Sequence, residues 1–243
     1  MGDFELSIGA ATDTGRTRMQ NEDAMLVREL GGALLLCVAD GLGGHARGEW
    51  ASARAIDIFA ERVAERFESD GPEGAMRQAA VAANSAVNAE ALELGAPGAA
   101  TTLVAALQRG PEAWWLNVGD SRLYRLTAAS LEQVSQDHSW VAERVREGSI
   151  PADAARSHWK RNVVTRTIGF ELEVEPDTGH LDLEPGDVLL LCSDGLFGPV
   201  ADDEIARVVG TFEPEAAAAK LIELANEAGG PDNITVVVAS VRG

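Results

Sequence analysis

The chain has 243 residues, 46% of them apolar and 5% aromatic, with 20 basic against 39 acidic residues and a net charge of −19. A polypeptide of this size buries a substantial core, while the lack of any run of about 18 apolar residues, or of a basic stretch followed by an apolar one near the start, argues against a membrane span or a signal peptide. So negative a charge repels a phosphodiester backbone and argues against nucleic-acid binding as the main function.

Strand-like runs are predicted near 4 to 12, 24 to 29 and 33 to 39, followed by an amphipathic helix from about 48 to 67. A second, Ala-rich helix runs from about 72 to 94, with Ala79, Ala83, Val87, Ala91 and Leu94 at helical spacing, and stops at Gly95-Ala96-Pro97-Gly98. Short β-branched or aromatic runs at 101 to 107, 113 to 118 and 121 to 126, separated by Gly-containing turns, predict an antiparallel meander. Strands at 187 to 192 and 234 to 241 enclose helices near 202 to 209 and 214 to 228, the first opening on Asp202-Asp203-Glu204 and the second on Pro214-Glu215. Such blocks suit antiparallel sheets covered on their outer faces, an α+β layered domain, better than a βαβ alternation. One domain is expected over 1–243, with no internal repeat.

Glu22, Asp40, Asp194 and Asp232 stand far apart but end or open apolar runs, in the contexts Asn-Glu-Asp, Ala-Asp-Gly-Leu, Ser-Asp-Gly-Leu and Pro-Asp-Asn-Ile-Thr. Two of these contexts echo each other, and each places an Asp-Gly at a strand end, where the carboxylate emerges and Gly permits a turn and close backbone approach. A pair of like charges ~4 Å apart repels by about 4 kcal/mol at a protein surface, so a convergence of these acids calls for cations. Hard ions such as Mg²⁺ or Mn²⁺ take oxygen ligands and keep waters. Two of them bridged by one aspartate, for which Asp40 is the candidate, would set a bridging water against a phosphate ester. Arg18, four residues before Glu22, can bring its planar fork to the phosphate at the same opening. Taken singly, each reads better as something bland: Asn21-Glu22-Asp23 as a polar turn, each Asp-Gly as an ordinary turn dipeptide and Arg18 as a solvated surface charge. Cys37 and Cys192 sit inside apolar runs as core residues, and without a secretory signal they fit a reducing cytoplasm.

In order along the chain stand Thr12-Asp13-Thr14-Gly15 with Arg18 and Asn21-Glu22-Asp23, then Ala39-Asp40-Gly41-Leu42-Gly43-Gly44-His45, and Gly98-Ala99-Ala100-Thr101-Thr102. Asn117-Val118-Gly119-Asp120-Ser121-Arg122, Asp137-His138-Ser139, Ser193-Asp194-Gly195-Leu196 and Asp232-Asn233-Ile234-Thr235 continue the series. Together they resemble the metal-dependent serine/threonine protein phosphatases of type 2C, in particular the compact bacterial branch. The resemblance implies a four-layer α-β-β-α sandwich with two central antiparallel sheets and a metal site at one end. It also implies that Asp40, Asp194 and Asp232 hold one Mn²⁺ or Mg²⁺, that Glu22, Asp40 and the Gly41 carbonyl hold a second, and that Asp120 with Asp194 serves a third, weaker ion. Arg18 would hold the substrate phosphate. Where animal members carry a histidine after Asp-Gly this chain has Leu42, so the proton donor is left unassigned, and His45 three residues on is not given that role.

Residues 135–169 resemble the family's flap and carry six of the 20 basic residues, Arg144, Arg146, Arg156, Lys160, Arg161 and Arg166, suited to an acidic phosphosubstrate. Trp159 stands where relatives commonly have proline. His138, His158 and His180 are read as structural. The expectation is a monomeric cytoplasmic enzyme that acts on phosphorylated proteins and opposes a bacterial serine/threonine kinase, without nucleic acid or membrane insertion. The alternative is a pseudophosphatase that binds phosphoproteins without hydrolysing them.

Overall fold

The computed structural model describes residues 4–43, 47–155 and 158–242; His45 and Arg156, singled out above, lie outside them. In chain order, β1 (Glu5–Asp13), β2 (Asp23–Leu30) and β3 (Ala33–Leu42) lead into helices α1 (Gly48–Asp70) and α2 (Pro72–Glu93). Then come β4 (Ala100–Thr101), β5 (Leu103–Arg109), β6 (Glu112–Val118), β7 (Arg122–Leu126), β8 (Leu131–Gln133) and the short helices α3 (Trp140–Arg146) and α4 (Ala152–Ala155). The chain closes with β9 (Asp177–Asp182), β10 (Val188–Cys192), α5 (Asp194–Phe197), α6 (Asp202–Thr211), α7 (Pro214–Glu227) and β11 (Ile234–Arg242).

Two antiparallel sheets result. One has the order β1-β11-β10-β7-β8, and the other β2-β3-β5-β6-β9 with β4 added beside β3. Period-two alternation assigns the strand side chains to layers. Leu35, Cys37 and Ala39 of β3 face α1 and α2, packing with Phe59, Val63, Met76 and Val87, while Leu36 and Val38 face the opposite sheet. Likewise Val236 and Val238 of β11 pack on α6 and α7, and Val237 and Ala239 join the layer between the sheets. Both faces of these strands are therefore buried, which is why they read as nearly continuous apolar runs. Helices α1 and α2 lie against each other through small residues such as Ala51, Ala55, Ala79 and Ala83, all fully buried.

This is the expected α-β-β-α sandwich, with additions. β9 has the sequence Asp-Thr-Gly-His-Leu-Asp and pairs only with β6, so an edge position spares it the apolar alternation that would have marked it. Cys37 and Cys192 are buried free thiols on the helix-facing sides of their sheets. No helix among the described residues is long and apolar enough to cross a membrane.

Candidate metal centre

Antiparallel registry carries the scattered acids to one end of the sandwich. Asp23 pairs with Asp40 across β2 and β3, Asp13 with Ile234 across β1 and β11, and Cys192 with both Val236 and Arg122. Hence Glu22 just before β2, Asp40 near the end of β3, Asp120 in the β6–β7 turn, Asp194 after β10 and Asp232 before β11 all emerge on the same edge.

Of the turn and the close backbone approach expected at the Asp-Gly dipeptides, the structure shows the approach and not a positive-φ turn. Gly41 continues β3 and pairs with Thr101, Gly195 lies in α5, and neither has positive φ. What each glycine supplies is close approach. A Cβ on Gly41 would sit 2.3 Å from the Gly48 carbonyl oxygen and 2.5 Å from that of Glu22, and one on Gly195 would sit 1.9 Å from the Asn233 carbonyl oxygen. The start of α1 and the Asp232 segment are thereby pressed against the strand ends that carry the aspartates.

Backbone bonds hold each acid in place. The Glu22 peptide donates to Asn233 Oδ1 (2.9 Å), and its carbonyl accepts from Gly41 N (3.1 Å) and Ser52 Oγ (2.6 Å). Asp40 N donates to Thr102 Oγ1 (2.9 Å), and its carbonyl accepts from Thr102 N (2.9 Å) and Thr101 Oγ1 (2.8 Å). Asp232 Oδ1 caps Asn233 N at 2.9 Å, while its Oδ2 accepts from Arg18 Nη2 at 2.8 Å. Arg18 thus reaches the opening, with a side chain still 47% exposed.

The electrostatics are those of crowded buried acids. Burial first, and then repulsion from Asp23, Asp194, Asp120 and Asp232, raises the Asp40 carboxyl well above the usual carboxylate range. Burial first, and then neighbouring carboxylates, pushes Asp194 up to about 6 and Asp120 to about 8. Glu22 is raised by burial, with Arg18 opposing. Asp194 Oδ1 is buried with no hydrogen-bond partner among the described residues, an uncommon and costly condition. All-oxygen donors, mutual repulsion and an orphaned buried carboxylate oxygen fit hard divalent cations at this edge.

Residues not singled out individually in the sequence complete the site. Asp23, pushed up to about 7 mainly by burial, accepts from Ser193 Oγ at 2.7 Å through Oδ2 and leaves Oδ1 unpartnered among the described residues. Its place in Asn-Glu-Asp was the available signal. Thr102 and Asn233 act through hydrogen bonds that no sequence pattern announces. Glu112, His180 and Asp182, whose ligand atoms lie within 4.8 Å of one another, form an exposed group at the other end of the β6–β9 pair, apart from this edge.

Beside the acids a cleft of about 830 Å³ opens beneath residues 135–169. Its lining includes the site's Arg18, Asp120, Asp194 and Asp232, the flap's Val141, Val145, Arg146 and Arg161, and Phe197 with Pro199. Arg122 and Asp137, which also line it, form a two-pronged ion pair (2.7 and 2.9 Å), and Arg122 stacks on Phe197. Of the flap cations expected to meet substrate, Arg144 pairs with Glu147 and Arg166 with Asp177, whereas Arg146 and Arg161 face the cleft.

Serine/threonine protein phosphatase PstP of Mycobacterium tuberculosis is 41% identical over 97% of this chain, which spans only 45% of that protein's length. The serine/threonine phosphatase stp of Listeria monocytogenes is 36% identical, with 93% of this chain and 92% of that protein aligned. A crystal structure of the PstP catalytic domain with two manganese ions superposes with a TM-score of 0.88 at 37% identity, covering 99% of this chain and 100% of that one. The family model described as protein phosphatase 2C matches residues 13–226, and the chain belongs to that family.

Proposed function

We propose that this protein hydrolyses phosphoserine and phosphothreonine in proteins with the help of two Mn²⁺ or Mg²⁺ ions. The observation that carries the reading is the convergence, beside Arg18, of half-buried carboxylates that repel one another and leave the buried Asp194 Oδ1 without a partner among the described residues. In this reading Asp40, Asp194 and Asp232 hold one ion, Glu22, Asp40 and the Gly41 carbonyl the second, and Asp120 with Asp194 a third and weaker one. When bound, the ion pair supplies Lewis acidity and an activated bridging water for in-line attack on phosphorus.

The chain's own groups do the rest. Arg18, held by Asp232, offers its remaining guanidinium donors to the phosphate. Gly41 and Gly195 keep the ligand-bearing segments within reach of one another. The cleft under the flap takes the peptide around the phosphoresidue, with Arg146 and Arg161 suited to acidic side chains and Val141, Val145 and Phe197 to an apolar one. We assign the protein to the cytoplasm as a monomer opposing a serine/threonine kinase, a placement consistent with its two buried free thiols.

The test is release of phosphate from a phosphoserine peptide by the purified chain and by Asp40→Asn, with and without Mn²⁺. Turnover is expected only for the unmodified chain with Mn²⁺. Full turnover in chelator, or by the variant, would overturn the reading.

A further inference from the structure

His138 is buried at the neck of the flap, and both of its ring nitrogens are engaged. Its Nδ1 accepts the Gly119 N–H at 3.0 Å, and its own N–H returns a bond to the Gly119 carbonyl, also at 3.0 Å. With Nδ1 taken as acceptor, a neutral ring carries its proton on Nε2, which lies 3.1 Å from Asp177 Oδ2. Arg166 Nη1, 3.1 Å from the same Nε2, secures that aspartate through Oδ1 (2.8 Å) and donates to the Glu175 carbonyl (2.7 Å), so the Gly119 N–H on Nδ1 is what selects the tautomer. Where the flap returns, Thr165 N donates to the His138 carbonyl at 2.8 Å, and Ser139 bridges to Val164. His138 therefore ties both ends of the flap to one residue, Gly119.

Gly119 immediately precedes Asp120. Gly119 has φ of 103°, and a Cβ there would lie 2.6 Å from Thr102 Cγ2, so Thr102 packs closely against the turn as well. Thr102 in turn accepts from Asp40 N through Oγ1, which also bonds to Ser121 Oγ (2.6 Å). The Gly119–Asp120–Ser121 turn is thus held between the Asp40 strand and the flap neck, and the ring of His138 is the flap's side of the grip.

We infer that His138 is a positioning residue that transmits the placement of the flap to the Asp120 carboxylate, and so sets the affinity of the weaker cation. The inference rests on the reading of Asp120 as a ligand given under Proposed function. Residues behind metal ligands act by orienting them; here the ring does so through Nδ1 on Gly119, while Nε2 is held by Asp177.

Two amides separate the ring's functions, because Asn places its carbonyl near the position of Nδ1 and Gln places its amide near that of Nε2. Calorimetric Mn²⁺ titrations of the purified chain, His138→Asn, His138→Gln, His138→Ala and Asp120→Ala would decide the matter. His138→Gln and His138→Ala are expected to weaken the weakest Mn²⁺ step about tenfold, leaving the tight steps unchanged, with His138→Asn within about threefold of the unmodified chain. In metal-free protein, long-range ¹H–¹⁵N correlation is expected to report an Nε2-protonated ring, and the Gly119 amide proton to move upfield in His138→Gln but not in His138→Asn. If Asp120→Ala weakens a step and His138→Gln and His138→Ala do not, or if His138→Asn is the damaged amide variant, the inference falls alone. Should Asp120→Ala leave every step intact, Asp120 is not a ligand and the inference falls with that reading. An Nδ1-protonated ring would overturn it outright. If His138→Ala does not fold, the contrast between the two amide variants distinguishes these outcomes by itself.

Discussion

Replacing Asp194 with Asn removes a charge from the crowded edge while keeping the side chain's shape, so it should stabilise the metal-free protein and at the same time disable it. Asp194 is buried beside Asp40 and Asp232, and its carboxyl is raised from 3.8 to about 6. A folded-state pKa above the unfolded one means that the native chain binds more protons between the two values. The stability from keeping Asp194 neutral is full below about pH 4 and is lost as pH rises through about 6. At roughly 1.4 kcal/mol per unit, ionised Asp194 costs the folded state about 3 kcal/mol at pH 8. A chain of this size shifts by roughly 2 to 4 °C per kcal/mol, so Asp194→Asn should melt about 6 to 12 °C higher than the unmodified chain in chelator at pH 8. The two should converge near pH 4. Melts followed by circular dichroism from pH 4 to 8, with EDTA or with Mn²⁺, provide the assay. Added Mn²⁺ should reverse the ranking, since the variant lacks a ligand. A variant less stable than the unmodified chain in EDTA at pH 8, or a difference independent of pH, would refute the electrostatic account.

Arg18→Ala should lower kcat/KM for a phosphopeptide by about ten- to a hundredfold, with Lys restoring only part, since a point charge cannot offer the guanidinium fork; equal activity in all three forms would remove Arg18 from phosphate binding. Gly195→Ala drives a Cβ into the Asn233 carbonyl, and denaturant melts should show a loss of about 1 to 3 kcal/mol, accompanied by weaker Mn²⁺ binding because Asp194 and Asp232 are pushed apart. Asp137→Ala leaves Arg122, largely buried in the cleft lining, without its ion-pair partner (side-chain exposures 17% and 11%), a loss expected to cost about 3 kcal/mol; a change below about 1 kcal/mol on urea unfolding would show that Phe197 and Tyr124 suffice to hold the guanidinium.

Much of this molecule is legible in its sequence because both the strands and the site are made of locally strong signals. β3, β10 and β11 are buried on both faces, so they are apolar almost throughout, and α1, α2 and α7 announce themselves by spacing and by Pro72 or Pro214 at their starts. Glu22, Asp40, Asp194 and Asp232 are conspicuous as acids at the margins of such runs. Order along the chain also discloses the family, since each motif keeps its neighbours.

The shape of the meeting point was decided only in three dimensions. Nothing local says that Gly41 and Gly195 serve contact rather than turning, because the Gly48 and Asn233 carbonyls they admit belong to segments far away in sequence or on another element. Nor does the sequence reveal that Asp23 sits half-buried opposite Asp40, or that His138 grips Gly119, the residue before Asp120. Periodicity encodes which way a side chain faces within its own strand or helix; which carboxylates then share a low-dielectric corner, and how far each is forced toward its neutral form, depends on the register between strands and the packing of one sheet on the other.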